Sequence, residues 1–173
     1  TYVTVAAFIG FYLAGLLSAI LVDGAFGLYL YQIEYFLNSP NRYWTRNLPD
    51  IRYVLVIGIT ILTAFVTKMG RYRENKFLSS VPMRWWLSLT ILTVCIYPVA
   101  VWPEMHVRIT VFMVKYLAIG FLAFKLIDTT RKFEGLLWAH LTGQLLLARL
   151  VWATGRNSTG RVENAGPSDA SDA

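Results

Sequence analysis

VTVAAFIGFYLAGLLSAILV, residues Val3 to Val22, decides the class of this protein: twenty residues without a single charge. At a helical rise of ~1.5 Å per residue, such a run crosses a bilayer core of ~30 Å. Its small residues Ala6, Gly10, Ala14 and Ser18 recur at every fourth position. That spacing predicts one smooth face on which a second helix can approach closely. Asp23 ends the run.

The rest of the chain reads outward from this run. Gly24 to Leu37 is apolar and aromatic but holds Glu34; its fourteen residues make a short second crossing or a re-entrant segment. Asn38 to Asp50, with two prolines and two arginines, is a loop whose Tyr43 and Trp44 suit the membrane interface. Tyr53 to Thr67 is a third crossing, extended by the snorkelling stems of Arg52 and Lys68. Trp85 to Val101 is the fourth, with a kink at Pro98, and a tight turn follows at Trp102 to Val107. Ile109 to Phe124, interrupted by Lys115, is the fifth, and Leu136 to Ala153, carrying His140 and Arg149, is the sixth. The predicted architecture is all-α: a polytopic transmembrane bundle of about six apolar segments over residues 1–154. A polar extramembrane tail over 155–173 is expected to continue into a further C-terminal half.

Composition agrees with a membrane protein. The 173 residues are 56% hydrophobic and 15% charged, against roughly a quarter charged in soluble domains. The mean hydropathy is +0.50. Cys95 is the only cysteine, so no disulfide forms within the chain. The net charge of +6 sits mostly between the apolar blocks, which points to membrane topology and headgroup contact rather than nucleic-acid binding.

Charge placement also predicts orientation. Lys68, Arg71, Arg73, Lys76 and Arg84 crowd one loop, with Lys125, Arg131 and Lys132 on the same side. That side is assigned to the cytoplasm, which places the glycine- and arginine-rich exit of the last helix, around Arg156 and Arg161, outside. Lys115, about seven residues into its block, then lies roughly 10 Å below the outer surface. Arg149 enters from the same surface. With Arg108, Arg156 and Arg161 these form a set of cations suited to a pyrophosphate, whose oxygens match guanidinium forks. Taken singly, each reads first as a snorkelling or solvated charge; only the set on one side brings the phosphate reading level with that. His140 and His106 read as hydrogen-bonded packing residues, with no metal-ligand spacing around them. The sequence carries no P-loop, dinucleotide fingerprint or nucleophile elbow, and no cofactor or metal is expected.

The order of LYLYQIEYFLNSPNRYW (Leu28 to Trp44), NLPDIRYVLVIGI (Asn47 to Ile59), the Trp-Pro-Glu turn, Lys115 and GRVENAGPSDASDA (Gly160 to Ala173) resembles the O-antigen ligase and polymerase family, in its O-glycosylation ligase-like branch. Members show an arginine, a glycine-containing stretch and an Asp/Pro-Asn pair entering the next helix. Arg161, Gly166 and Asp172 fill the first places, and the sequence ends before the asparagine. The resemblance implies a bacterial inner-membrane glycosyltransferase that moves a glycan from undecaprenyl pyrophosphate to a periplasmic acceptor without metal or nucleotide sugar. It implies Arg161 as the pyrophosphate arginine, with Arg149 and Lys115 as weaker candidates. The family's later periplasmic loop and its histidine lie outside this sequence, so the segment alone is expected to be inactive and its catalytic residue stays unassigned. The alternative is a non-catalytic transmembrane subunit that packs in a larger membrane complex, for which the small-residue face of the first block speaks. The expected partners are membrane lipids, the carrier-linked glycan and other transmembrane subunits.

Overall fold

The computed structural model describes residues 2–37, 47–49, 51–72 and 76–154. Among them are six α-helices and no strand: α1 (Tyr2–Leu21), α2 (Ala25–Leu37), α3 (Tyr53–Thr67), α4 (Val81–Ile96), α5 (Pro103–Leu126) and α6 (Thr130–Thr154). Three of these, α1, α5 and α6, are long and apolar enough to cross a membrane. The helices α2, α3 and α4, at 13, 15 and 16 residues, are shorter. The chain divides into two units, one of α1, α2, α3 and α6, the other spanning Lys68–Asp128.

In the first unit α2 is the central element. It packs on α1, α3 and α6, most extensively on α6. Asp23 explains how the chain turns into it. Its carboxylate accepts the Ala25 amide at 3.0 Å, occupying one of the free N–H groups that open α2, with the negative charge at the favourable end of the helix dipole. Side chains and backbone interlock from there. Leu30 lies against Gly15 of α1, and Ile61 of α3 against Gly27. On α6, Gly135 receives the Tyr29 ring and Gly143 the Phe36 ring. These pairings make α2 antiparallel to α1 and α3 and parallel to α6.

The face of α1 that packs inward is Val5, Phe8, Tyr12 and Ala19. The predicted packing face is a different one: Ala6, Gly10 and Ala14 are exposed and Ser18 half-buried, and a Cβ built on Gly10 meets nothing within 4 Å. Large residues win because aromatic rings fill the space between α1 and α3. Tyr12 and Tyr53 stand edge to face with centroids 5.1 Å apart, and Phe8 meets Tyr53 at 5.6 Å. The Tyr12 hydroxyl also donates to the Tyr53 carbonyl at 2.9 Å. Tyr12→Phe is therefore expected to cost about 1 kcal/mol, a typical net hydrogen bond, measured by thermal unfolding of the purified protein. On α3 the hydroxyls of Thr60, Thr63 and Thr67 each donate to the carbonyl four residues back at 2.9 Å, so no hydroxyl is left open in an apolar setting.

The second unit is a hairpin of α4 and α5. Pro98 does not kink a longer fourth helix; α4 ends at Ile96 and Pro98 sits in a 3-10 turn, Tyr97–Val99, because proline offers no amide to continue the ladder. The stretch expected as a tight turn is instead the first turn of α5. Pro103 starts the helix, where its missing N–H costs nothing, the His106 amide donates to the Trp102 carbonyl at 2.9 Å, and Glu104 faces the positive end of the dipole. The His106 ring then bonds the Thr93 carbonyl, tying α5 to α4. At the other end Phe77 meets Phe121 and Phe124 edge to face, and the Lys125 ammonium donates to the Tyr72 carbonyl at 3.4 Å.

Candidate functional site

Within the first unit, Gln32 and Glu34, in the second half of α2, belong to a polar layer that α6 completes. Toward α6, Gln32 meets His140 Nδ1 at 2.8 Å, and Gln144, one turn along α6, meets His140 Nε2 at 2.8 Å. Both glutamines present their amide nitrogen, and a neutral imidazole has one acceptor, so the ring nitrogen without a proton accepts from one of the two amides. The Phe36 ring stands edge-on to the imidazole at 5.4 Å. On the same helix Glu34 is 2% exposed, closed inside the unit. One end of the unit is marked by the ion pair of Lys132 with Asp23, 3.0 Å, beside the bond from the Tyr29 hydroxyl to the Lys132 carbonyl at 2.8 Å.

Helical rise spaces these groups along α6. His140 lies eight residues from Lys132 along α6, about 12 Å, and Arg149 seventeen residues, about 26 Å. The ion pair and Arg149 thus stand nearly one hydrocarbon-core thickness (~30 Å) apart along α6, with the Gln32–His140–Gln144 bridge between them. Ionisable groups in membrane helices are costly in lipid and generally face a bundle interior or a cavity, which is where Glu34 and His140 stand.

The predicted cations are distributed over both units. Arg149 is exposed on α6 and makes no ion pair among the described residues. Arg156 and Arg161 lie outside the described residues. In the second unit Arg108 lines an open groove of about 640 Å³ with Trp102, Glu104 and Met105. Lys115 is exposed, its ammonium 5.8 Å from the Phe112 ring centre. Because α5 begins at Pro103 rather than near Ile109, Lys115 is twelve residues from its start, about 18 Å along the axis, and is mid-helix.

The sequence reading missed the polar layer. Gln144 stands at i+4 from His140, but a search for metal-ligand types passes over glutamine, and no local pattern pairs Gln32 with a residue 108 positions later. Among the described residues no group of three or more His, Cys, Asp or Glu is placed to hold a metal. Comparison with protein-family models, curated proteins and solved structures finds no match to this chain.

Proposed function

We propose that this chain is the membrane portion of an O-antigen ligase-like glycosyltransferase that grips the pyrophosphate of an undecaprenyl-linked glycan at the periplasmic face of a bacterial inner membrane. The observation that carries the reading is Arg149. It is exposed, without an ion pair among the described residues, and about 26 Å along α6 from the Asp23–Lys132 end. The sequence beyond it supplies Arg156 and Arg161. Guanidinium groups at a headgroup surface offset the charge that develops on a pyrophosphate leaving the anomeric carbon. Arg108, at the start of α5, joins this set. Lys115, seven residues further along α5 and about 10 Å from Arg108, stays a weaker candidate.

The topology proposed with it is six crossings. Lys132 and Asp23 meet, so α6 starts where α1 ends. Ile61 lies beside Gly27, so α3 runs back toward that same end. The Lys68–Asp128 segment therefore leaves and re-enters the first unit on one side, which calls for an even number of crossings, supplied by α4 and α5. This supports the two basic loops sharing the cytoplasmic side and the tail lying in the periplasm.

Binding of undecaprenyl pyrophosphate to the full-length protein in nanodiscs, followed by native mass spectrometry, tests the reading. Arg149→Ala and Arg161→Ala are each expected to weaken it at least about tenfold, in line with the loss of a charge-assisted hydrogen bond. Binding of undecaprenol, which lacks phosphate, should not change. Equal pyrophosphate affinity in both variants would remove the arginines from the site. A second reading, a non-catalytic transmembrane subunit, is favoured by one observation: the Ala6–Gly10–Ala14 stripe of α1 faces away from the unit's own helices.

A further inference from the structure

Arg108 shares its groove with a carboxylate. Glu104 and Arg108 stand four residues apart on α5, hence on one helix face, and both line the open groove beside Trp102. Both are exposed, and neither makes an ion pair with the other or with any described residue. A second groove, of about 210 Å³, follows along the same hairpin. Val94 of α4, Tyr97 of the turn, and Val107, Thr110 and Val111 of α5 line it. Its lining is apolar, and the Thr110 hydroxyl is already donated to the His106 carbonyl at 2.9 Å. Val111 continues the face of Glu104 and Arg108 three residues further along α5, about 4.5 Å beyond Arg108.

The 24 residues of α5 span about 36 Å, which barely exceeds a hydrocarbon core of ~30 Å, so a crossing α5 keeps its first turn at headgroup level. Trp102, 76% exposed, suits that level. In order from membrane to water the hairpin therefore offers an apolar groove, a guanidinium and a carboxylate. One class of lipid has the complementary order: acyl chain, phosphate, primary ammonium. Guanidinium forks match phosphate oxygens, and the ammonium donates to the carboxylate. A second phosphate in the outer place would meet Glu104 as a like charge, and a glycerol headgroup would leave it without a counter-charge.

We infer that the α4–α5 hairpin holds a phospholipid of the phosphatidylethanolamine type. Its phosphate lies on Arg108, its ammonium on Glu104, and one acyl chain in the groove of Val94, Val107 and Val111. The inference does not rest on the carrier reading, which is tested at Arg149 and Arg161, so either can fail alone.

Native mass spectrometry of the full-length protein tests it, with phosphatidylethanolamine, phosphatidylglycerol and phosphatidylcholine of identical acyl chains as the titrants. Phosphatidylethanolamine is expected to bind about tenfold tighter than the other two, since only its headgroup donates charged hydrogen bonds to a carboxylate. Glu104→Gln is expected to erase that preference. Arg108→Gln is expected to weaken all three alike, and Val111→Trp, which fills the apolar groove, to do so without changing their order. All three positions are exposed, so the fold tolerates the changes. Equal binding of the three lipids to the parent would mean that Glu104 and Arg108 close on each other or take no lipid. A preference that survives Glu104→Gln would put the ammonium elsewhere, and unchanged binding in Val111→Trp would put the chain elsewhere. In Arg108→Gln, loss of undecaprenyl pyrophosphate but not of phosphatidylethanolamine would assign the arginine to the carrier alone. Each of these outcomes overturns the inference.

Discussion

Gly143→Leu is expected to prise α6 from α2 and lower stability by about 3 kcal/mol or more, at the upper end of overpacking costs. The Phe36 ring already fills the space a side chain at Gly143 would take, and Tyr29 does the same at Gly135. Backing the helices apart also breaks the Gln32–His140 bond, which spans the same interface. The matched control is Gly10→Leu, where the new side chain meets open space; it should leave thermal unfolding within about 0.5 kcal/mol of the parent. Differential scanning fluorimetry on both variants decides the matter. Equal losses would mean that the glycine notches of α6 do not set the interface. The control has a second use. If Gly10→Leu leaves the fold intact but dissociates a larger assembly on native gels, the subunit reading gains over the transferase reading.

Lys132→Met is expected to destabilise by about 3–5 kcal/mol, the usual cost of breaking a nearly buried ion pair from one side. It withdraws the ammonium from an Asp23 side chain that is 9% exposed and that also opens α2. The double variant Asp23→Asn with Lys132→Met should recover most of the loss. Asparagine removes the charge but keeps an oxygen for the Ala25 amide, so the cap survives. Losses that merely add in the double variant would show that charge pairing is not what joins the start of α6 to the start of α2. Chemical denaturation of the two singles and the double gives the coupling directly.

Local chemistry in the chain was enough to establish an all-helical membrane protein. Charge-free runs such as Val3 to Val22 are apolar over a bilayer's length, and Asp23, Arg52 and Lys68 bound the blocks at places where α1, α2 and α3 begin or end. What the residues alone did not reveal is which faces meet. In lipid the outward side of a helix is as oily as the inward side, so periodicity no longer marks the core. Within the described unit α1 packs through Val5, Phe8, Tyr12 and Ala19, while its small-residue stripe stays on the outer side.

Tertiary structure decided three things. It made the short α2 the centre of its unit, because Gly27, Gly135 and Gly143, each unremarkable in sequence, let neighbours close on it. It brought Gln32, His140 and Gln144 together across 108 positions, a pairing that depends on two helices running parallel at the same depth. It also set Lys115 in the middle of its helix rather than near one end. A proline at a helix start is permitted, so the Trp-Pro-Glu stretch became helix rather than turn and lengthened α5 by nearly two turns. Position along a helix is a count from its end, and that end was set by the folded backbone.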